Sequence, residues 1–516
     1  MNPHCHCTCC SHSNSVSDGV TRREFLWRVG AIAAGGVALH TLDGFAADTG
    51  PQRPARVRKT LKVQPVLMYS TPKRREGTSW RGWGGIQTDA DAEKEKIRIN
   101  AELTKLKEQA DFPVEFLPLV AGKGGDEAVK AVGSAEFDTM LLYAAGGSGA
   151  EKLVKPGQHN LMFLRHEPGP VYLWYEIVHP RFLRKMVDEY APSGMDVWDV
   201  VVDKQEDLLW RLRALSGLKN TLGKRIVAIG GAGGWGAGGK RAPAISRELW
   251  KMDIVDYPYK ELAPRLQAAY QDAALVNRCS DAARRFLRQW GVSLHTKTEF
   301  VDRAFVLTEI FKDIMDEAKT DAITVNACMG TIMGISKTTA CLPLSLLNDD
   351  HYLAFCESDF VVIPSGILLH YISGKPVFLN DPTYPHDGIV TLAHCTAPRK
   401  MDGHHTERTK VLTHFESDYG AAPKVEMRLG QITTNLVPDF ASKKWVGFAG
   451  TIVGNPFLDI CRSQVDVKIH GDSAALLEQM KGFHWMLSYG DYLKETGYAL
   501  KKVGIEFLNV SASKSV

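Results

Sequence analysis

The chain has 516 residues, 44% of them hydrophobic and 23% charged, which is enough for about two to four domains with buried cores. Its 62 basic and 59 acidic residues nearly cancel, leaving a net charge of +3. This balance gives no reason to expect nucleic acid or a membrane surface as a partner. Of its 10 cysteines, those outside the extreme N-terminus are scattered singly, so we expect small buried side chains rather than a disulfide framework.

The N-terminal segment 1–47 is predicted to be a twin-arginine signal peptide. TRREFL at 21–26 carries the paired arginines, an apolar stretch follows at 29–42, and small residues at 44–47 suit cleavage. The apolar stretch is too short to span a membrane. We therefore expect recognition by the twin-arginine export machinery, a periplasmic or extracellular mature protein, and no membrane insertion after cleavage. The Cys/His tract at 4–12 could bind a soft metal but would leave with the leader.

Strands and helices alternate from residue 62 onward. A strand at 62–69 leads through the Gly/Trp-rich loop 79–85 to a charged helical stretch at 89–109. Further predicted elements are a strand at 114–120, a helix at 125–132, and strands at 138–145, 160–165 and 169–176. Such interleaving is typical of a doubly wound, Rossmann-like parallel sheet. We predict a first domain of this kind over 62–220.

The same alternation begins again at a strand over 224–230. It continues through long helices near 263–290 and 297–319 to a strand at 322–328. We therefore predict a second doubly wound, Rossmann-like domain over 221–357.

The second domain opens with a glycine-rich loop that offers a rival interpretation. GAGGWG at 231–236 is a literal G-x-G-x-x-G after a predicted strand, and Asp253 lies about 20 residues on, where a ribose-binding acid would stand. The motif also requires a following helix to receive the pyrophosphate, and the sequence AGGKRAP is a poor helix former. A nucleotide-dependent oxidoreductase is thus kept as the weaker alternative.

Two carboxylates, Glu357 and Asp381, are predicted to reach one edge of the fold from separate elements. Glu357 stands before an apolar run at 360–372 that is typical of a helix, and Asp381 follows a short apolar strand. The next apolar strand ends just before His394. Because side chains at strand ends can converge, this arrangement indicates a metal or substrate site.

After about residue 395 the pattern changes. Segments 424–429, 445–453 and 464–469 alternate like strands without long helices between them, and a helix–strand–helix–strand run closes the chain over 474–508. This pattern of strand-like segments indicates an antiparallel sheet or a small barrel. The predicted fold class is therefore α/β, with two Rossmann-like domains followed by a β-rich, barrel-like domain at 358–516.

Three segments carry a resemblance to a known family: ACLPLSLLNDDHYLAF at 340–355, the stretch 356–395 with both carboxylates, and GFHWMLSYGDY at 482–492. They resemble the L-fucose/L-arabinose isomerase superfamily, most clearly over 320–515. The resemblance implies a metal-dependent aldose–ketose isomerase that moves a proton between C1 and C2 of a pentose or 6-deoxyhexose through a cis-enediol. It also implies a homo-oligomer, a trimer or hexamer, whose sites are completed by a neighbouring subunit.

The resemblance also assigns residues. Glu357 and Asp381 match the two carboxylates that bind the metal and transfer protons, and His484 matches the third protein ligand. A hard site of this kind suits Mn²⁺ or Mg²⁺. His394 also matches the family pattern and is a candidate sugar contact. Apart from the resemblance, Arg81, Trp83 and Tyr489 are further candidate sugar contacts, and these three residues are equally consistent with a place in the core. Four further positions match in sequence and are equally consistent with local turns or packing: Asn348, Asp349, Asp359 and Cys395.

Two features depart from the family pattern. Cytosolic sugar isomerases lack a twin-arginine leader, and the FVVIPSG sequence at 360–366 lacks the Gly/Ala-rich texture of those enzymes. The identity of the sugar therefore stays open, since a fold does not fix a substrate. An exported, non-catalytic sugar-binding protein, with two α/β lobes closing on a ligand, is the main alternative from another class.

Overall fold

The computed structural model describes residue 53, residues 58–183 and residues 194–512. The predicted signal peptide at 1–47 lies outside these residues. Among the helices that are described, none is long and apolar enough to cross a membrane.

The first part of the chain forms a parallel sheet covered by helices. Its strand order is β2-β1-β4-β5-β6, and β3 also pairs with β1. The strands are β1 (Leu61–Tyr69), β2 (Val114–Phe116), β3 (Val120–Lys123), β4 (Thr139–Ala144), β5 (His159–Leu164) and β6 (Val200–Val202). The helices are α1 (Asp89–Gln109), α2 (Gly125–Val132), α3 (Leu173–Val178) and α4 (Gln205–Thr221).

Helices cover both faces of this sheet. Val63 and Leu67 of β1 pack in one cluster with residues of α1 and α4. Val66 and Met68 pack in a different cluster with residues of α2 and α3. Burial on both faces explains why the strands are nearly continuous apolar runs rather than alternating ones.

Proline explains two differences from the predicted strands. The strand predicted at 169–176 is wrong, because this segment enters α3 and the edge of the sheet is formed by β6 instead. Pro168 and Pro170 lack the amide hydrogen that a sheet ladder needs. The strand predicted at 114–120 is divided at Pro118 into β2 and β3, which both pair with β1.

The second part contains a four-stranded parallel sheet with the order β11-β10-β7-β8. Its strands are β7 (Arg225–Ile229), β8 (Asp253–Tyr257), β10 (Ala322–Val325) and β11 (Leu353–Cys356). Its helices are α5 (Gly236–Gly239), α6 (Ala242–Leu249), α7 (Tyr259–Gln271), α8 (Ala273–Leu287), α9 (Thr298–Glu317), α10 (Thr331–Ser336) and α11 (Cys341–Asp349). Because the strands are parallel, their carboxyl ends meet at one edge.

The C-terminal part forms a closed six-stranded antiparallel barrel, which confirms the barrel-like expectation. The strand order is β16-β19-β12-β13-β18-β17, and β17 pairs back to β16. The strands are β12 (Phe378–Pro382), β13 (Ile389–His394), β16 (Ile432–Val437), β17 (Lys444–Gly454), β18 (Ser463–Ile469) and β19 (Trp485–Tyr489). The barrel core includes Phe378, Leu392 and Trp485.

The remaining elements surround the barrel. They are α12 (Ile363–Ser373), α13 (Ser473–Gln479), α14 (Leu493–Lys502) and β20 (Glu506–Asn509), which extends the barrel beside β17. A separate three-stranded sheet joins β9 (Val292–Leu294), β14 (Arg408–His414) and β15 (Tyr419–Glu426). Since β9 comes from the second part of the chain, this small sheet ties that part to the C-terminal part.

Candidate metal centre

Glu357 lies in a tight turn directly after β11. Cys356 pairs with Val325 of β10, so the turn emerges at the carboxyl edge of the parallel sheet. Glu357 and Ser358 have φ angles of 60° and 48°, a left-handed conformation that costs a non-glycine residue about 1–2 kcal/mol. The Ser358 amide donates to Thr324 Oγ1 at 3.1 Å, and this bond helps to hold the strained turn.

The other three side chains of the centre come from the rim of the barrel. Asp381 lies on β12, His394 ends β13, and His484 directly precedes β19. β12 lies between β13 and β19, with Asp381 opposite Ala393 and Asn380 opposite Trp485. This register brings three residues that are distant in sequence to neighbouring positions on one rim.

The four side chains meet closely. His484 Nε2 lies 3.4 Å from Glu357 Oε2 and 3.2 Å from Asp381 Oδ1, and His394 Nε2 lies 3.6 Å from Glu357 Oε1. Ligand-type atoms of Glu357, His394 and His484 all lie within 4.8 Å of one another. The structure thus brings together three predicted metal ligands and the predicted sugar contact His394.

Three of the facing atoms are buried and lack an aligned hydrogen bond within the described structure: Asp381 Oδ1, His394 Nε2 and His484 Nε2. Proximity alone does not satisfy them, because a hydrogen bond needs both a short enough distance and suitable angles. An unsatisfied buried polar atom costs about 1–3 kcal/mol. A cation among these atoms would remove that cost, so the residues present fit a divalent metal ion.

Asp359 orients His484. Its Oδ2 lies 2.8 Å from His484 Nδ1, and its Oδ1 accepts hydrogen bonds from the backbone amides of Trp235 and Val361 at 3.2 and 3.1 Å. Donation from Nδ1–H leaves Nε2 facing the carboxylates, which is the arrangement that supports a metal-binding imidazole. The sequence alone did not distinguish a site residue from a turn residue at Asp359. The contact with His484 Nδ1 assigns it the role of orienting that ring.

The charges of the centre are strongly coupled. Burial alone would raise the pKa of Glu357, but the nearby imidazoles of His394 and His484 lower it well below its ordinary value. Burial alone would lower the pKa of His484, but Asp359, Glu357 and Asp381 raise it to about 10. Burial is also the main cause that raises the pKa of Asp381. The carboxylates of Glu357, Asp359 and Asp381 therefore stabilise a positive charge at the position of His484.

Two aromatic rings cover the centre. The Trp235 indole donates from Nε1 to Glu357 Oε2 at 3.0 Å. It stacks on Phe483 with ring centroids 3.7 Å apart and planes 6° from parallel. The two residues are 44% and 38% exposed, so they lie between the centre and solvent. Sequence reasoning missed Trp235, although an aromatic residue within a glycine-rich loop was a visible signal.

The glycine-rich loop does not lie beside the acid that the nucleotide interpretation requires. Asp253 pairs with Arg225 at 2.6 Å, and this pair lies at the amino ends of β7 and β8. Gly231 follows β7 at the opposite, carboxyl edge. The loop instead contacts the Glu357 turn, where the Gly233 amide donates to the Ser358 carbonyl at 3.2 Å.

Three predicted sugar contacts are not brought to the centre within the described part of the chain. Arg81 lies over the ring of neighbouring Trp80, and Trp83 is 65% exposed in the same loop of the first part. Tyr489 is buried at the far end of β19, where its hydroxyl accepts from the Arg428 amide at 3.2 Å.

The other matched residues have structural contacts. The Asn348 side chain donates to the carbonyl of Ala354 at 2.7 Å. Asp349 pairs with Arg399. Cys395 is buried beside Cys341 in a small cluster. These contacts account for the three residues by packing and turn formation.

Comparison of the sequence with protein-family models and with curated proteins finds no match.

Proposed function

We propose that this protein is a metal-dependent aldose–ketose isomerase that acts on a pentose or a 6-deoxyhexose. The observation that carries the proposal is the convergence of Glu357, Asp381, His394 and His484 with buried, unsatisfied atoms facing one another. The resemblance to the L-fucose/L-arabinose isomerase superfamily, on the same carboxylates and His484, supplies the reaction class.

Glu357, Asp381 and His484 would hold the ion, and His394 offers a further nitrogen. Oxygen-rich ligand sets suit Mn²⁺ or Mg²⁺. When bound, such an ion supplies Lewis-acid polarisation of adjacent substrate oxygens.

The side chains of the chain itself would perform the proton transfer. An aldose–ketose conversion removes a proton from one carbon of the C1–C2 unit and returns one to the other, by way of a cis-enediol. Glu357 and Asp381 both lie within 3.4 Å of His484 Nε2, so two carboxylates can serve one substrate position as proton acceptor and donor. The Trp235–Phe483 pair would exclude water and offer an aromatic face to the C–H surface of a sugar.

The wider proposals concern export, assembly and the arrangement of the first domain. The leader pattern supports export by the twin-arginine route and a periplasmic or extracellular location. The family resemblance supports a trimer or hexamer. Clusters on both faces of the first sheet support a doubly wound, Rossmann-like arrangement of that domain.

The test combines metal content with activity. Protein stripped by a chelator would be reloaded with Mn²⁺ and assayed against a panel of aldopentoses, 6-deoxyaldohexoses and their ketoses. We expect Mn²⁺-dependent interconversion that falls at least about 100-fold in Glu357→Gln. Glu426→Gln, on β15 outside the centre, is the matched control and should keep full activity.

Other outcomes have distinct meanings. Bound Mn²⁺ without turnover on any sugar would refute isomerisation while preserving the metal centre. Sugar binding that survives both chelation and Glu357→Gln would favour the non-catalytic binding protein.

A further inference from the structure

A second group of metal-ligand atoms lies next to Glu357 within the second part of the chain. The Sγ atoms of Cys328 and Cys356 and a carboxylate oxygen of Glu357 all lie within 4.8 Å of one another. The two thiols are in hydrogen-bonding contact. Neither cysteine belongs to the histidine centre described above.

The backbone fixes this group. Cys356 ends β11 opposite Val325 of β10, and Cys328 lies three residues beyond Val325 in the loop that follows β10. The Asn326 side chain donates to the Gly231 carbonyl at 3.3 Å, and the Asn326 backbone carbonyl accepts from the Tyr259 hydroxyl. The loop is therefore held against its neighbours and keeps the Cys328 thiol near Cys356.

The group is accessible from solvent through a cavity of about 520 Å³. The glycine loop 233–236, the segment 326–330 and Glu357 line this cavity. Cys356 is buried and Cys328 is half-buried, so an ion entering the cavity would meet Cys328 and Glu357 first.

We propose that Cys328, Cys356 and Glu357 form a second metal site, selective for a thiophilic divalent cation such as Zn²⁺ or Cd²⁺. Two thiolates and one carboxylate are a ligand set that such ions accept, with the fourth position left open toward the cavity. Binding releases the two thiol protons to solvent. The site needs only these three side chains, so it does not depend on the isomerase proposal.

Sharing Glu357 gives the site a consequence for the histidine centre. The two oxygens of Glu357 lie near His394 and His484, so a thiophilic ion that takes one of them withdraws a ligand from that centre. Occupancy of the thiol site should therefore weaken Mn²⁺ binding.

The experiment is a Cd²⁺ titration of the reduced, metal-free full chain, followed by the ultraviolet sulfur-to-cadmium charge-transfer band. The leader cysteines would contribute to this band, so all proteins carry serine at Cys5, Cys7, Cys9 and Cys10. In this background we expect one Cd²⁺ with a charge-transfer band that is lost in Cys328→Ser.

Cys461→Ser is the matched control. Cys461 is also half-buried and in hydrogen-bonding contact with another thiol, Cys395, and its replacement should leave the band unchanged. His484→Ala should also keep the band while losing Mn²⁺, which separates this proposal from the isomerase proposal. Circular dichroism of Cys328→Ser checks its fold, and Glu357→Gln provides a second variant, which should weaken Cd²⁺ at least about 10-fold.

Three results of the titration would overturn the proposal. They are a background protein without the band, a band that persists in Cys328→Ser, and a band lost equally in Cys461→Ser. A thiol count that shows Cys328 and Cys356 joined as a disulfide in the protein as purified, before any reductant is added, would do the same. If Cd²⁺ binds as expected but Mn²⁺ affinity does not change, competition through Glu357 is refuted.

Discussion

Asp359 determines which nitrogen of His484 faces Glu357 and Asp381. Its carboxylate is almost fully buried and lies 2.8 Å from His484 Nδ1. In Asp359→Asn the amide cannot accept this proton with the same strength, so the ring loses its fixed orientation. We expect Mn²⁺ affinity to fall about 10–100-fold, measured by isothermal titration calorimetry. The exposed Asp459 offers a control, and an Asp359→Asn protein that binds Mn²⁺ like Asp459→Asn would contradict the orienting role.

Trp235 combines a hydrogen bond to Glu357 with a stacking contact to Phe483. Trp235→Phe removes the bond and keeps a ring for stacking, whereas Trp235→Leu removes both. The lost bond should cost about 1.5 kcal/mol, so we expect Mn²⁺ affinity to fall roughly 10-fold in Trp235→Phe. Fluorescence or calorimetric titration would measure this. Affinity unchanged in Trp235→Phe but reduced in Trp235→Leu would assign the effect to stacking instead.

The sequence could identify side chains that are able to bind a cation, but it could not identify the residues that hold those side chains in place. Glu357, Asp381 and His484 stood out because their side chains can bind a cation and their local contexts resemble a known pattern. The roles of Asp359 and Trp235 depend on contacts with residues more than 120 positions away, and local patterns do not encode such pairings.

At the level of elements, α11 is fastened to the loop after β13 by a buried ion pair. Arg399 Nε donates to Asp349 Oδ2 at 2.6 Å, and the backbone amides of Arg399 and Lys400 donate to Asp349 Oδ1 at 2.6 and 2.9 Å. Because His394 ends β13, this pair also supports the strand that carries a residue of the centre.

Removing one partner of this pair should be costly, since the other charge would remain buried. We expect Asp349→Asn to lower the free energy of unfolding by about 3–5 kcal/mol. The neighbouring Asp350 is exposed and pairs only with Lys312 at 3.2 Å among its described contacts, so Asp350→Asn should cost less than about 1 kcal/mol. Urea unfolding of both variants checks this, and equal losses would show that the buried pair has no special role.

Local sequence patterns predicted which segments are strands or helices. They did not predict which strands pair with one another. The alternation after residue 395 indicated strands, but closure of the barrel depends on the pairing of β17 with both β16 and β18. The strand predicted at 169–176 was wrong because its apolar residues outweighed Pro170 within the segment and Pro168 just before it.

At the scale of the whole molecule, the centre lies between the second sheet and the barrel. Glu357 follows a strand of the second sheet, whereas Asp381, His394 and His484 lie on the barrel rim. Helix α12 connects these two parts directly and also packs against the first part of the chain. A Cβ atom at Gly217 of α4 would lie 2.5 Å from Ile372 Cγ1, so the two helices approach closely. The geometry of the centre therefore depends on packing among all three parts.

The buried His370 on α12 makes the stability of this packed region depend on pH. Burial and the nearby Arg58 cation lower the pKa of His370 to about 3, although its ring bonds the Lys375 carbonyl at 2.8 Å. The unfolded chain, with an ordinary histidine pKa of about 6.5, binds more protons between these two values. The contribution of His370 to stability is thus fully present above about pH 6.5 and is lost as pH falls toward 3.

We expect this single group to remove about 2 kcal/mol from the free energy of unfolding between about pH 7 and pH 5. His370→Asn keeps a side-chain N–H for the Lys375 carbonyl but does not titrate in this range, so its stability should fall less over the same interval. Urea unfolding at several pH values would measure the difference. His386→Asn, at an exposed position, should keep the wild-type dependence. Parallel curves for wild type and His370→Asn would mean that His370 can take up a proton in the folded protein, and that burial of α12 does not exclude the charged ring.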